Sequence, residues 1–102
     1  MEKISGTILA EKQRWHGNDN DTVLAVVRTP DRDVTVKCAE KLWPIRNGAK
    51  RVFWGQMQGY RTRWRNEPQL AAFCYTDQEH EGAVEQLLEL LLGRGFPRDL
   101  AA

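Results

Sequence analysis

The chain has 102 residues, 15 Lys and Arg against 14 Asp and Glu, and hydrophobic residues at 41% of positions. That length suits one domain with a core that needs no disulfide or metal staple. A net charge of +1 removes overall basicity as an argument for nucleic acid, and the spread of apolar residues excludes a wholly disordered chain.

The opening, Met1 to Gly6, has no apolar core of signal-peptide length. The longest apolar stretch, Leu87 to Leu92, is broken by Glu89 and falls short of the ~20 residues a membrane span needs. Both point to a cytoplasmic protein. Ile4, Gly6, Ile8 and Ala10 alternate with more polar positions, as in a half-buried strand. A turn-rich segment, His16 to Asp21, leads into the β-branched run Thr22 to Val27. After the turn Thr29 to Asp33, a third strand is expected at Val34, Val36 and Cys38. Residues 39–48 leave space for one helical turn at most. Asn47-Gly48 precedes a fourth strand, Arg51 to Gln56, in which Val52 and Trp54 share a face opposite Phe53. Gly55 and Gly59 suggest bulges or close backbone approach, and Leu70 to Tyr75 makes a fifth strand.

The period then changes. Thr76 with Glu79 forms a capping-box candidate, with Asp77 as the competing N-cap, and Val84, Leu87, Leu88 and Leu91 follow helical spacing. Gly93 is a natural stop. Leu90 and Leu92 widen the apolar stripe beyond what one helix laid over an open barrel end would bury, which leaves surface for a protein interface or a homodimer. The fold class is therefore mainly β: a small five-stranded OB-fold-like barrel over residues 1–76, one C-terminal α-helix over 77–93 packed on it, and a short tail over 94–102. An SH3-like barrel is the competing architecture.

Charge is segregated along this frame. Residues 41–66 carry seven basic side chains (Lys41, Arg46, Lys50, Arg51, Arg61, Arg63, Arg65) and no acid, whereas residues 67–102 carry two basic and seven acidic. The loop before strand 5 interleaves Tyr60, Arg61, Arg63, Trp64 and Arg65, and the loop after strand 1 holds Arg14 and Trp15. Guanidinium groups for phosphates and flat rings for unstacked bases are what single-strand binders use. Arg46, Lys50 and Arg51 would extend the groove, and the two stretches are expected to meet across a single rim. Trp54 and Trp43 are assigned to the core and to the barrel end. Trp15 and Trp64 serve equally as ligand platforms or as rings packed under a neighbouring cation.

Catalysis has little support: the two histidines, His16 and His80, stand in no nucleophile–base set, and there is no phosphate-binding Gly-rich loop. Asp19-Asn20-Asp21 lacks the Gly and Glu an EF-hand loop requires, since Leu24 and Pro30 occupy those positions. Cys38 and Cys74, with no second pair, read as reduced thiols rather than as metal ligands. No cofactor and no metal are expected, and the chain reads as a non-enzyme.

Ile4-Ser5-Gly6-Thr7-Ile8, followed by Arg14 to Leu24, resembles the opening of the N-terminal OB-like domain of RecD-type helicases. Val34-Thr35-Val36, Asn47-Gly48-Ala49, Val52 to Gln56, Tyr60 and Pro68 to Ala72 extend the likeness over about residues 4–75. Asn20 stands where that family's turn usually has Gly. No Walker motif or helicase core follows. The resemblance implies a free-standing accessory module without ATPase activity, which binds single-stranded DNA or RNA with little sequence preference. The alternative is a protein-interaction module, whose same arginines would meet an acidic partner.

Overall fold

The computed structural model describes residues 1–61 and 66–93, except for the side chains of 60, 61, 66, 92 and 93. Five strands carry the chain: β1 (Glu2–Trp15), β2 (Thr22–Arg28), β3 (Asp33–Ala39), β4 (Lys50–Arg61) and β5 (Asn66–Asp77). They close in the order β1-β2-β3-β5-β4, and β4 returns to β1. Every pair is antiparallel except β3–β5, which is parallel through Thr35–Gln69, Val36–Leu70 and Lys37–Ala71. This closed five-stranded mixed barrel matches an OB-like small barrel.

Strand alternation explains the core. Inward rows such as Ala25–Val36–Leu70 and Val27–Val34 are buried, with Ile8, Phe53 and Tyr75 filling the centre. β1 is long enough to pair with β4 through its first half and β2 through its second, and it bends at two bulges to do so. The first falls between Ile8 and Ala10, so Ala10 points outward, against the simple alternation expected of it. Only Gly48 has positive φ among the described residues, at the third position of the Arg46–Ala49 turn. The turn at Asn20 needs no left-handed residue, which is why Asn can stand there.

Residues 40–49 contain no helical turn. They plug the barrel end with Ile45, which is buried, and Trp43, which packs against the core. The Tyr75 hydroxyl fixes this plug: it accepts from Lys41 N at 2.7 Å and donates to the Trp43 carbonyl at 2.5 Å. The C-terminal helix therefore has a different task from the expected one. A 3₁₀ turn (Gln78–His80) leads into α1 (Glu81–Leu88) and a final π-helical turn (Glu89–Gly93). The turn is capped by Asp77, whose carboxylate accepts from His80 N at 3.0 Å; Thr76 is buried and does not serve as the cap.

α1 lies along the wall. Lys3, on the outward face of β1, is bonded to both Glu81 and Glu85, α1 contacts β5, and the 3₁₀ turn contacts β4. Beneath it, Val52–Thr76 and Trp54–Cys74 are outward cross-strand pairs, and Val52, Trp54 and Thr76 are nonetheless buried. Trp54 is thus buried as expected, but under the helix wall and outside the barrel interior. Val84 and Leu88 are half-buried, while Leu87, Leu90 and Leu91 remain about half exposed; the predicted stripe is only partly used.

Candidate nucleic-acid interface

The loop after β1 was expected to offer Arg14 to phosphates. It does not. Arg14 shares the inward row of Val23, and its guanidinium is enclosed by acids. It donates to Glu11 at 2.6 and 2.8 Å, to Asp21 at 2.9 Å, to Glu40 at 2.7 Å, and to the Ile45 carbonyl at 3.4 Å. Glu40 also accepts from Ile45 N at 2.6 Å, which ties β1, the β1–β2 turn and the barrel plug together. The arginine holds Glu40 and Asp21 below the usual carboxylate range and is itself held more firmly protonated. One cation among three carboxylates is net acidic, so this knot would repel a phosphate. Arg14 is a structural residue.

Trp15 faces the other way. It stands on the outward row Trp15–Thr22–Ala39, is 40% exposed, and carries the Lys37 ammonium 5.1 Å from its ring centre. The next outward rows are Gln13–Leu24–Lys37–Ala71–Gln56 and Ala10–Val26–Thr35–Gln69–Gln58. Together they make one continuous face across the strands through which OB-folds bind oligomers. These three rows bear one cation, one ring, hydroxyl and amide groups, and no carboxylate; the next outward row adds Arg28 and Asp33, and Glu67 stands two residues from Gln69 on β5. Gln69 is buried in this face, and its Oε1 accepts no hydrogen bond among the described residues.

Strand directions decide what else belongs to the face. β1 and β4 are antiparallel, so the chain leaves Trp15 at one barrel end and Arg61 at the other. β4 and β5 run past the barrel as a two-stranded ribbon, with Tyr60 opposite Glu67 and Arg61 opposite Asn66. By register this ribbon end lies about seven residues, or about 23 Å, along the sheet from the Trp15 row. Trp15 and the described ribbon end at Arg61 and Asn66 therefore stand at opposite ends of the sheet and not across a single rim, and Arg14 turns inward. Arg63, Trp64 and Arg65 lie outside the described residues, as do the side chains of Tyr60 and Arg61.

Arg46 belongs to the plug, and Arg51 pairs with Gly6 on the opposite parity, so neither extends this face; Lys50 stands on the outward row Lys50–Thr7–Arg28–Asp33, with β1 between it and β2. Arg51 is spent on backbone, donating to the Pro44 carbonyl at 3.1 Å and the Lys50 carbonyl at 2.8 Å. Lys37, Thr35, Gln56, Gln58 and Gln69 were missed. The sequence did carry a signal for two of them, because Thr35 and Lys37 alternate with the buried Val34, Val36 and Cys38. What it lacked was the register that sets them side by side.

Among the described residues no group of three or more His, Cys, Asp or Glu side chains is placed to hold a metal. Nor is any described helix long and apolar enough to cross a membrane. No family model, curated protein or solved structure matches the chain.

Proposed function

We propose that this protein is an OB-like module, acting in the cytoplasm, that binds single-stranded DNA or RNA with little sequence preference. The observation that carries the reading is the uninterrupted outward face of β1, β2, β3 and β5, with Trp15 and Lys37 at one end and the ribbon leading to the arginine-rich segment at the other. A strand laid along it stacks on Trp15, places phosphates against Lys37, and runs toward the end of the β4–β5 ribbon; Tyr60, Arg61, Arg63, Trp64 and Arg65 are the contacts proposed from the sequence there. The span suits a site of about four nucleotides, the small end of OB-fold sites.

Fluorescence anisotropy with labelled dT12 tests it. About four neutralised phosphates give a slope near −3 for log K against log salt. Trp15→Ala is expected to weaken binding about tenfold, the effect of one lost base stack. Absence of binding at low salt, or binding insensitive to both Trp15→Ala and Lys37→Ala, rejects this face.

A second reading rests on Leu87, Leu90 and Leu91, each half exposed or more on one short helix. In it, the C-terminal helix with Leu90 and Leu92 joins a second copy or another protein of a nucleic-acid-processing complex. Light scattering is then expected to show a dimer that Leu90→Glu converts to monomer; a concentration-independent monomer removes the homodimer.

A further inference from the structure

The β3–β5 ladder stops at Lys37–Ala71, and beyond it the two strands separate. The gap is a cavity of about 390 Å³ in the barrel wall. Cys38 and Ala39 bound it on one side, and Ala72, Phe73, Cys74 and Tyr75 on the other. The plug residues Lys41, Leu42 and Trp43 close its top, held there by the two hydrogen bonds of the Tyr75 hydroxyl. A bulge in β5 between Cys74 and Ala72 sets Phe73 apart from the ladder, and Phe73 is 55% exposed.

We infer that this window takes a single unstacked nucleobase from a strand bound along the adjacent outward face. The inference rests on the proposed function and adds to it a pocket for one base. Three aromatic side chains line a space at the small end of ligand cavities, which run from about 300 to 1,000 Å³. Such a space suits one ring system with apolar faces and a polar edge. Ala39 ends the same outward row as Trp15, so a strand stacked on Trp15 passes the mouth of the window. Lys41 supplies the basic side chain in the lining, and burial keeps both thiols protonated, pushing Cys38 up to about 12. A phosphodiester at the mouth meets the Lys41 cation, while the nearby Glu40 carboxylate is engaged by Arg14. An acidic peptide shares that charge match but not the continuity with Trp15.

Amide chemical-shift mapping of the full chain tests this with two probes: dT12 and an abasic phosphodiester of equal length. With dT12, shifts are expected at Trp15 and Lys37 and also at Ala39, Trp43, Phe73 and Cys74; the abasic strand, which has phosphates but no base to stack, moves Lys37 and leaves the window silent. Phe73→Ser, at an exposed position, should weaken dT12 about tenfold and leave the abasic strand unaffected. The window assignment is overturned if dT12 moves Trp15 and Lys37 while the window stays silent, or if Phe73→Ser weakens both probes equally. It is also overturned if a tryptophan-containing polyglutamate peptide moves the window and dT12 does not. If neither oligomer moves any residue, the reading of the outward face falls first, and the window with it.

Discussion

Gly55→Ala is expected to destabilise the barrel by about 3 kcal/mol, the upper range for forcing atoms into a packed site. A Cβ built there lies 2.1 Å from the Ala71 carbonyl oxygen and 2.7 Å from Ala72 Cα. Both are backbone atoms of the neighbouring strand, so no rotamer change relieves the clash. The cause is the bulge that begins at Gly55, where β5 crowds β4. Gly6 is in the same position against the Arg28 carbonyl, at 2.0 Å, and Gly6→Ala should behave alike. Gly59 provides the contrast: nothing lies within 4 Å of its Cβ position, and Gly59→Ala should stay within about 0.5 kcal/mol of the parent. Urea denaturation read by tryptophan fluorescence separates them. Equal midpoints for Gly55→Ala and Gly59→Ala would contradict the β4–β5 register.

Arg14→Met should cost about 2 kcal/mol at pH 7, since charged hydrogen bonds are lost and three carboxylates are left together. The loss stays moderate because the Arg14 side chain is 23% exposed and solvent screens its ion pairs in part. The pH dependence follows from linkage. Glu40 and Asp21 have depressed pKa values in the folded state, so their contribution is present above the unfolded values near 4.5 and 3.8 and is lost as pH falls through the folded ones. The parent is therefore expected to lose stability through this acid range. In Arg14→Met those carboxyls protonate more readily, so the gap between the two proteins narrows as the pH drops. Unfolding curves at pH 7 and pH 4 check the sign. A gap that widens in acid means the arginine is not the partner of these acids. Binding of dT12 should survive the substitution, because Arg14 supports the turn without touching the outward face.

The contrast between Arg14 and Lys37 shows where sequence reading reached its limit. Arg14 stands beside an exposed Trp in a polar turn, which by composition resembles a phosphate contact. Its acid partners are Glu11, Asp21 and Glu40, and Glu40 comes from 26 residues away. Lys37 looks like any solvent-facing strand residue until the β1–β2–β3 register puts it over Trp15. In both cases the deciding neighbour is distant in the chain. The same holds for Trp54: period-2 alternation identified its face, but only the folded-back helix explains why an outward indole is buried.

Local chemistry was enough for much of the rest. β-branched runs, turn residues and the change from period 2 to period 3.6 determined five strands, one terminal helix and a small barrel, because these signals act between residues close in sequence. Asn47-Gly48 located its turn for the same reason, since a residue with positive φ favours glycine wherever it falls. Tertiary structure alone decided which strands became neighbours, that β3 and β5 close the barrel in parallel and then part, and that α1 covers a wall while residues 40–49 plug the end. It also decided the direction of each exposed charge. Strand pairing fixes faces through long-range registers, and a shift of one residue, such as the bulge after Ile8, exchanges inside for outside.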